Sequence, residues 1–233
     1  MTLVIAHRGA SAHHPENTVA AFVGARELGA DWVELDVRRT ADHALAVHHD
    51  AHLADGRDLV ELLAEALPPD VPHLLGALDA CHPLGVNVEI KNWPADVDFD
   101  PELRLADAVV AVLAEHRPAG GVVVSSFHFG TIDRVRALDA SVPTAWLIFQ
   151  ALDPAATVAR VAEAGHAGIH PHASLVDEAF VARAHDAGLF VNVWTVDDPV
   201  RIAELVALGV DGVVTNRVDV ARTVVDRGAV GAD

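Results

Sequence analysis

A chain of 233 residues can bury a large core and has the size of a single α/β barrel, so one domain over 1–233 is expected. Sixteen basic against 34 acidic residues give a net charge of −18, a field that repels nucleic acid and anionic membrane surfaces and leaves small, locally captured phosphates as the anions within reach. The one cysteine, Cys81, excludes an internal disulfide and a thiolate metal cluster, and reads as inert packing.

Short β-rich runs alternate with longer Ala/Leu/Val/Glu segments of helical period. The first run, "LVIA" (3–6), is too short for a signal-peptide core, and no uncharged apolar stretch is long enough to span a bilayer. A cytoplasmic protein without stable membrane insertion is therefore expected. Gly9 would let the backbone turn after this strand, Glu16 and Asn17 would pin the loop, and Thr18 would cap a helix over 18–29. "WVELDV" (32–37) is the second strand. "LAVHHD" (45–50) follows too closely for a crossover helix and reads as a hairpin or irregular excursion. The segment 51–85 carries one or two helices.

Six further strands follow: "VNVEIK" (86–91), "GVVVSS" (121–126), "TAWLIF" (144–149), "AGIH" (167–170), "FVNVWT" (190–195) and "GVVT" (212–215). The spans 102–117, 154–165, 176–188 and 198–208 between them are long enough for crossover helices, and the glycines of "ELGAD", "EAGHAG", "DAGLF" and "ALGVDG" fit helix C-caps. Eight such units close most simply into a (β/α)8 TIM barrel with a short excursion after the second strand. Residues 228–233 are expected to fray.

In such a barrel the strand C-termini mark the active face. Glu34 and Asp36 lie two apart, as do Glu89 and Lys91, so alternation puts each pair on one face of its strand. Parallel barrel strands are covered on both sides and normally read as apolar runs, which makes carboxylates there notable. Three carboxylates gathered within about 4 Å repel by roughly 4 kcal/mol per pair at an effective dielectric near 20. They call for a cation, and all-oxygen ligands favour one divalent Mg²⁺ or Ca²⁺. Lys91 is the only lysine of the chain and is placed where a point charge can reach an anionic oxygen. His7 and His49 each end an apolar run on the active face. Leu45, Val47 and His49 share one side of the excursion, which selects His49 over His48. Two histidines near a metal are a plausible general acid and base pair. Phe127 and Trp194 read as apolar pocket walls or as core packing.

Taken in order, "HRG" (7–9), "PENT" (15–18), "ELDV" (34–37), "HD" (49–50), "EIK" (89–91), "SSF" (125–127), "WTVD" (194–197) and "GVDGVVTN" (209–216) resemble the glycerophosphodiester phosphodiesterase family along nearly the whole chain. The chain departs from the family after "HD", where an Arg-Thr-Thr pattern is replaced by "AHLADGRDL", and at the close, where "TD..P" is replaced by "TNRVD". The resemblance implies His7 and His49 as catalytic histidines, Glu34, Asp36 and Glu89 as metal ligands, Arg8 and Lys91 on the phosphate, and a supporting or substrate-contacting role for Glu16. The implied reaction is hydrolysis of a small-molecule glycerophosphodiester to sn-glycerol 3-phosphate and an alcohol. Alternatives are a phospholipase D-like enzyme that acts on lysophospholipids through a cyclic phosphate, a barrel aldolase with a Schiff base on Lys91, and a non-catalytic phosphodiester-binding module.

Overall fold

The computed structural model describes residues 1–150 and 153–230. Strand β1 (Leu3–His7) pairs in parallel with β2 (Trp32–Arg39) on one side and with the last strand, β9 (Gly212–Thr215), on the other. Between β2 and β9 the sheet runs through β4 (Gly85–Ile90), β5 (Val122–Ser126), β6 (Thr144–Ile148), β7 (Gly168–Pro171) and β8 (Phe190–Val193). The result is a closed eight-stranded parallel barrel, and each of the eight expected strands is present to within two residues. The excursion is β3 (Leu45–Val47), antiparallel to the end of β2 with Val37 opposite Val47.

Helices α1 (Val19–Glu27), α2 (Leu74–Cys81), α3 (Arg104–Glu115), α4 (Phe129–Leu138), α5 (Pro154–Glu163), α6 (Glu178–Asp186), α7 (Pro199–Ala207) and α8 (Val218–Val230) surround the barrel. The stretch before α2 holds only two single-turn 3-10 helices, Leu59–Glu61 and Ala64–Ala66. Helix α8 continues into the stretch expected to fray, while 231–233 lie outside the described residues. No described helix is long and apolar enough to cross a membrane.

Strand alternation separates the two interiors. In β2 and β4, Val33, Leu35, Val37, Val86, Val88 and Ile90 join the buried apolar layer that also takes Phe22 of α1 and Leu78 of α2. The residues between them, Glu34, Asp36, Asn87 and Glu89, are buried polar groups turned to the other side. Gly29, Gly165, Gly188 and Gly209 have φ between +76° and +81°, so these helices end in the left-handed cap that glycine adopts without a Cβ penalty. Cys81 is fully buried, which pushes its thiol up to about 12.

Candidate active site

Register assembles the site. Across β1 and β2 His7 lies opposite Glu34, and across β2 and β4 Glu34 lies opposite Asn87 and Asp36 opposite Glu89. Residues far apart in sequence thus meet at the C-terminal ends of three adjacent strands. The turn after β1 holds two non-glycine residues in the left-handed region, Arg8 (φ 56°) and Asn17 (φ 58°), a conformation that costs of order 1–3 kcal/mol each. Both are tied to the carboxylates: the Arg8 backbone N–H donates to Glu34 Oε2 at 2.9 Å, and Asn17 Nδ2 donates to Asp36 Oδ2 at 2.8 Å. Gly9 (φ +80°) fits where a Cβ would lie 2.6 Å from the Ala21 carbonyl carbon, so α1 docks directly on this turn. Thr18 Oγ1 caps α1 by accepting from Ala21 N at 3.2 Å.

Glu34, Asp36 and Glu89 are buried, each with a carboxylate oxygen within 4.8 Å of the others. Two cations face them. Lys91 Nζ donates to Glu89 Oε1 at 2.8 Å and lies 3.6 Å from Asp36 Oδ1, while Arg8 Nε lies 3.3 Å from Asp36 Oδ2. Arg8 Nη1 reaches outward to Glu16 Oε1 at 2.9 Å, so Glu16 fixes the guanidinium from the solvent side. Burial disfavours the Asp36 carboxylate, but Lys91, Arg8, His49 and the Asn17 amide outweigh it and bring its pKa to about 2. Glu34 goes the other way: burial, then Asp36 and Glu89, push it well above the ordinary carboxylate range. Its Oε1 is buried with no hydrogen-bond partner. A surplus carboxylate with an orphaned oxygen beside two more carboxylates is a donor set that could hold a hard divalent cation. Burial works against the Lys91 charge, yet Glu89 and Asp36 raise its pKa, so it stays protonated and is unsuited to imine formation.

The two histidines are held differently. His7 Nδ1 lies 2.7 Å from Asn216 Oδ1, and Asn216 Nδ2 donates to Asp197 Oδ2 at 2.7 Å. A carboxylate only accepts, so the Asn216 amide must turn its oxygen to the ring, and Nδ1 carries the proton. That leaves Nε2 as the basic atom, 4.0 Å from Glu34 Oε2. Burial and Arg8 hold the His7 pKa below its ordinary value. His49 Nδ1 pairs with Asp50 Oδ1 at 2.7 Å, and the His49 carbonyl accepts from Arg38 Nε at 2.7 Å. His48 instead turns Nδ1 to the Asp50 carbonyl.

A cavity of about 180 Å³ is lined by His7, Arg8, Glu34, His49, Glu89, Lys91, Phe127 and Trp194. Every residue singled out from the sequence either lines it or, as with Asp36 and Glu16, grips one that does. Four residues were not singled out. Asn216 and Asp197 stand inside motifs quoted above, yet only the fold joins them to His7. Arg38 clamps the excursion, and His170 lies on the cavity floor. For His170 the signal was available: an imidazole inside a fully buried parallel strand, "GIHP".

The Glycerophosphoryl diester phosphodiesterase family model matches residues 7–220. A glycerophosphodiester phosphodiesterase of Caldanaerobacter subterraneus subsp. tengcongensis is 30% identical over 230 residues, 92% of this chain and 94% of that protein. An Oleispira antarctica phosphodiesterase, solved in complex with the product sn-glycerol 3-phosphate, superposes with a TM-score of 0.88 at 26% identity, covering 97% of each chain. The glycerophosphodiester phosphodiesterase of Thermotoga maritima superposes with a TM-score of 0.82 at 25% identity over 96% of this chain and 98% of its own. With barrel, register and buried carboxylates in agreement, the chain belongs to the glycerophosphoryl diester phosphodiesterase family and is an enzyme of that class.

Proposed function

We propose that this enzyme, working as one domain over 1–233, hydrolyses glycerophosphodiesters to sn-glycerol 3-phosphate and an alcohol, with a divalent cation held by Glu34, Asp36 and Glu89. The observation that carries the reading is the trio of buried carboxylates within 4.8 Å, flanked by His7 and His49 on one cavity. The product named in the Oleispira antarctica complex supports glycerol 3-phosphate as the retained half. All-oxygen donors favour Mg²⁺ or Ca²⁺. When bound, such an ion neutralises charge on the non-bridging phosphate oxygens.

The chain's own groups supply the rest. Arg8 and Lys91 are fixed cations for the phosphodiester monoanion, and their burial strengthens their pull. Neutral His7, protonated at Nδ1 by the Asn216 arrangement, offers Nε2 to take the proton of the attacking oxygen. His49 donates through Nδ1 to Asp50, which orients the ring so that its Nε2 side can deliver a proton to the departing alkoxide. Glu16 orients Arg8, and Phe127 and Trp194, packed edge to face at 5.4 Å, wall the pocket.

A coupled glycerol 3-phosphate assay on glycerophosphocholine tests this. EDTA should abolish turnover, Mg²⁺ or Ca²⁺ should restore it, and His7→Ala and His49→Ala should each lower kcat by about 10²–10⁴. Turnover indifferent to EDTA, or equal in wild type and His7→Ala, would overturn the assignment.

A further inference from the structure

A second, larger cavity of about 660 Å³ opens beside the first and shares His49, Glu89, Lys91 and Phe127 with it. Whatever leaves the phosphorus on the His49 side therefore has room here. Three aromatic rings meet on its wall. Trp93 lies 6.1 Å from Phe127 and 5.8 Å from Phe149, and Phe127 lies 5.8 Å from Phe149, between ring centroids. Trp93 and Phe149 remain 40% and 45% exposed, a large apolar area to leave in water at the mouth of an active site. Lys91 Nζ already sits 5.9 Å from the Phe127 centroid, so that ring is occupied from the phosphate side.

The rest of the lining mixes apolar residues with Arg38, His52, Asn92 and three carboxylates. Asp50, Asp58 and Asp96 border the cavity. Asp50 is spent on His49 and Asp96 on Arg38, whose charge Asp98 shares. Asp58 stands at the start of a 3-10 turn without capping it, and its carboxylate has no hydrogen-bond or ion-pair partner among the described residues. Exposed aromatic faces that share a cavity with an unspent carboxylate suit an organic cation, which gains from both. A neutral polyol gains nothing from the carboxylate's charge, an anionic head group is repelled by it, and an acyl chain covers the rings only by desolvating Asp58 without pairing it.

We propose that this cavity receives the leaving alcohol and selects one that carries an alkylammonium, with Trp93 and Phe149 as the cation-binding rings and Asp58 as its counter-charge. The proposal rests on the phosphodiesterase reading above and specifies which diesters it prefers.

The test compares kcat/KM for glycerophosphocholine, for its neutral carba-analogue in which carbon replaces the quaternary nitrogen, and for glycerophosphoglycerol. Wild type should prefer the choline ester over the carba-analogue by about tenfold, or ~1.4 kcal/mol. The double variant Trp93→Leu/Phe149→Leu keeps apolar surface but removes the π faces, and should bring that ratio near one. Asp58→Asn should lower it part of the way. Each ratio is internal to one variant, so partial loss of folded protein does not alter it. A ratio near one in wild type would mean an apolar wall with no cation recognition, and an unchanged ratio in the double variant would place the recognition elsewhere. Either result overturns the proposal while leaving the phosphodiesterase reading intact. Failure of wild type to turn over any of the three esters removes both.

Discussion

What His7 can do depends on which ring nitrogen holds the proton, and that is decided by Asn216 and, behind it, Asp197. Asp197 takes both the side-chain and backbone N–H of Asn216, at 2.7 and 2.8 Å, so the amide cannot rotate without losing an ionic hydrogen bond. In the proposed reaction Asn216 is thus a positioning residue. Asn216→Ala frees the ring to adopt the other tautomer, and kcat should fall about 10- to 100-fold, the range for outer partners that orient a functional histidine. The pH profile separates this from simple damage. A general base works only when deprotonated, so activity is lost as pH falls through its pKa. Burial and Arg8 hold His7 below the ordinary 6.5, and the acidic limb of kcat/KM in wild type should accordingly lie under pH 6.5. The Asn216 hydrogen bond raises that pKa, so the variant's limb should move further toward acid. A variant that lost activity with an unmoved limb would count against this role.

Among the elements, the excursion after β2 has little regular structure and, in the proposed reaction, one of the most demanding tasks. Strand β3 ends at Val47, two residues before His49, so no strand ladder fixes the imidazole. Arg38, buried near the end of β2, holds the His49 backbone instead. Its Nε donates to the His49 carbonyl, Nη1 to both oxygens of Asp98 at 2.7 and 2.8 Å, and Nη2 to Asp96 at 2.9 Å. One guanidinium thereby ties the loop holding His49 to the loop after β4. Lysine offers a point charge and cannot span three partners. Arg38→Lys should lower kcat about tenfold with little change in KM, as His49 loses its anchor. Arg38→Leu leaves the buried Asp98 uncompensated and should destabilise the fold by about 3–5 kcal/mol in urea unfolding. If Arg38→Leu unfolded at the wild-type midpoint, the clamp would carry no weight.

Across the whole molecule, the barrel was legible because its signal is periodic. Alternation in "WVELDV" and "VNVEIK" placed Glu34, Asp36 and Glu89 on the inner face, and the recurring glycines marked where α1, α5, α6 and α7 stop. The same alternation chose His49 over His48. Arg38 and Asn216 escaped because nothing local identifies them: Arg38 meets Asp98 60 residues on and Asn216 meets His7 209 residues back, and only the fold brings these pairs together. His170 was lost among fifteen histidines, although its strand is buried throughout. It sits in the barrel interior at 1% exposure with Nε2 3.2 Å from Asn192 Nδ2, and burial drives its pKa down to about 3. A histidine depressed in the folded state makes stability depend on pH in a definite direction. Below the unfolded value of about 6.5 the unfolded chain takes up the proton and the folded chain does not, so stability falls as pH drops from 6.5 toward 3 and is flat above. Between pH 7 and pH 5 the loss from this one group is about 2 kcal/mol. Urea unfolding of wild type and His170→Asn at both pH values isolates it, because the other histidines contribute equally to both proteins. The variant should lose about 2 kcal/mol less than wild type over that interval, and parallel losses in the two proteins would mean that His170 is not held neutral in the barrel.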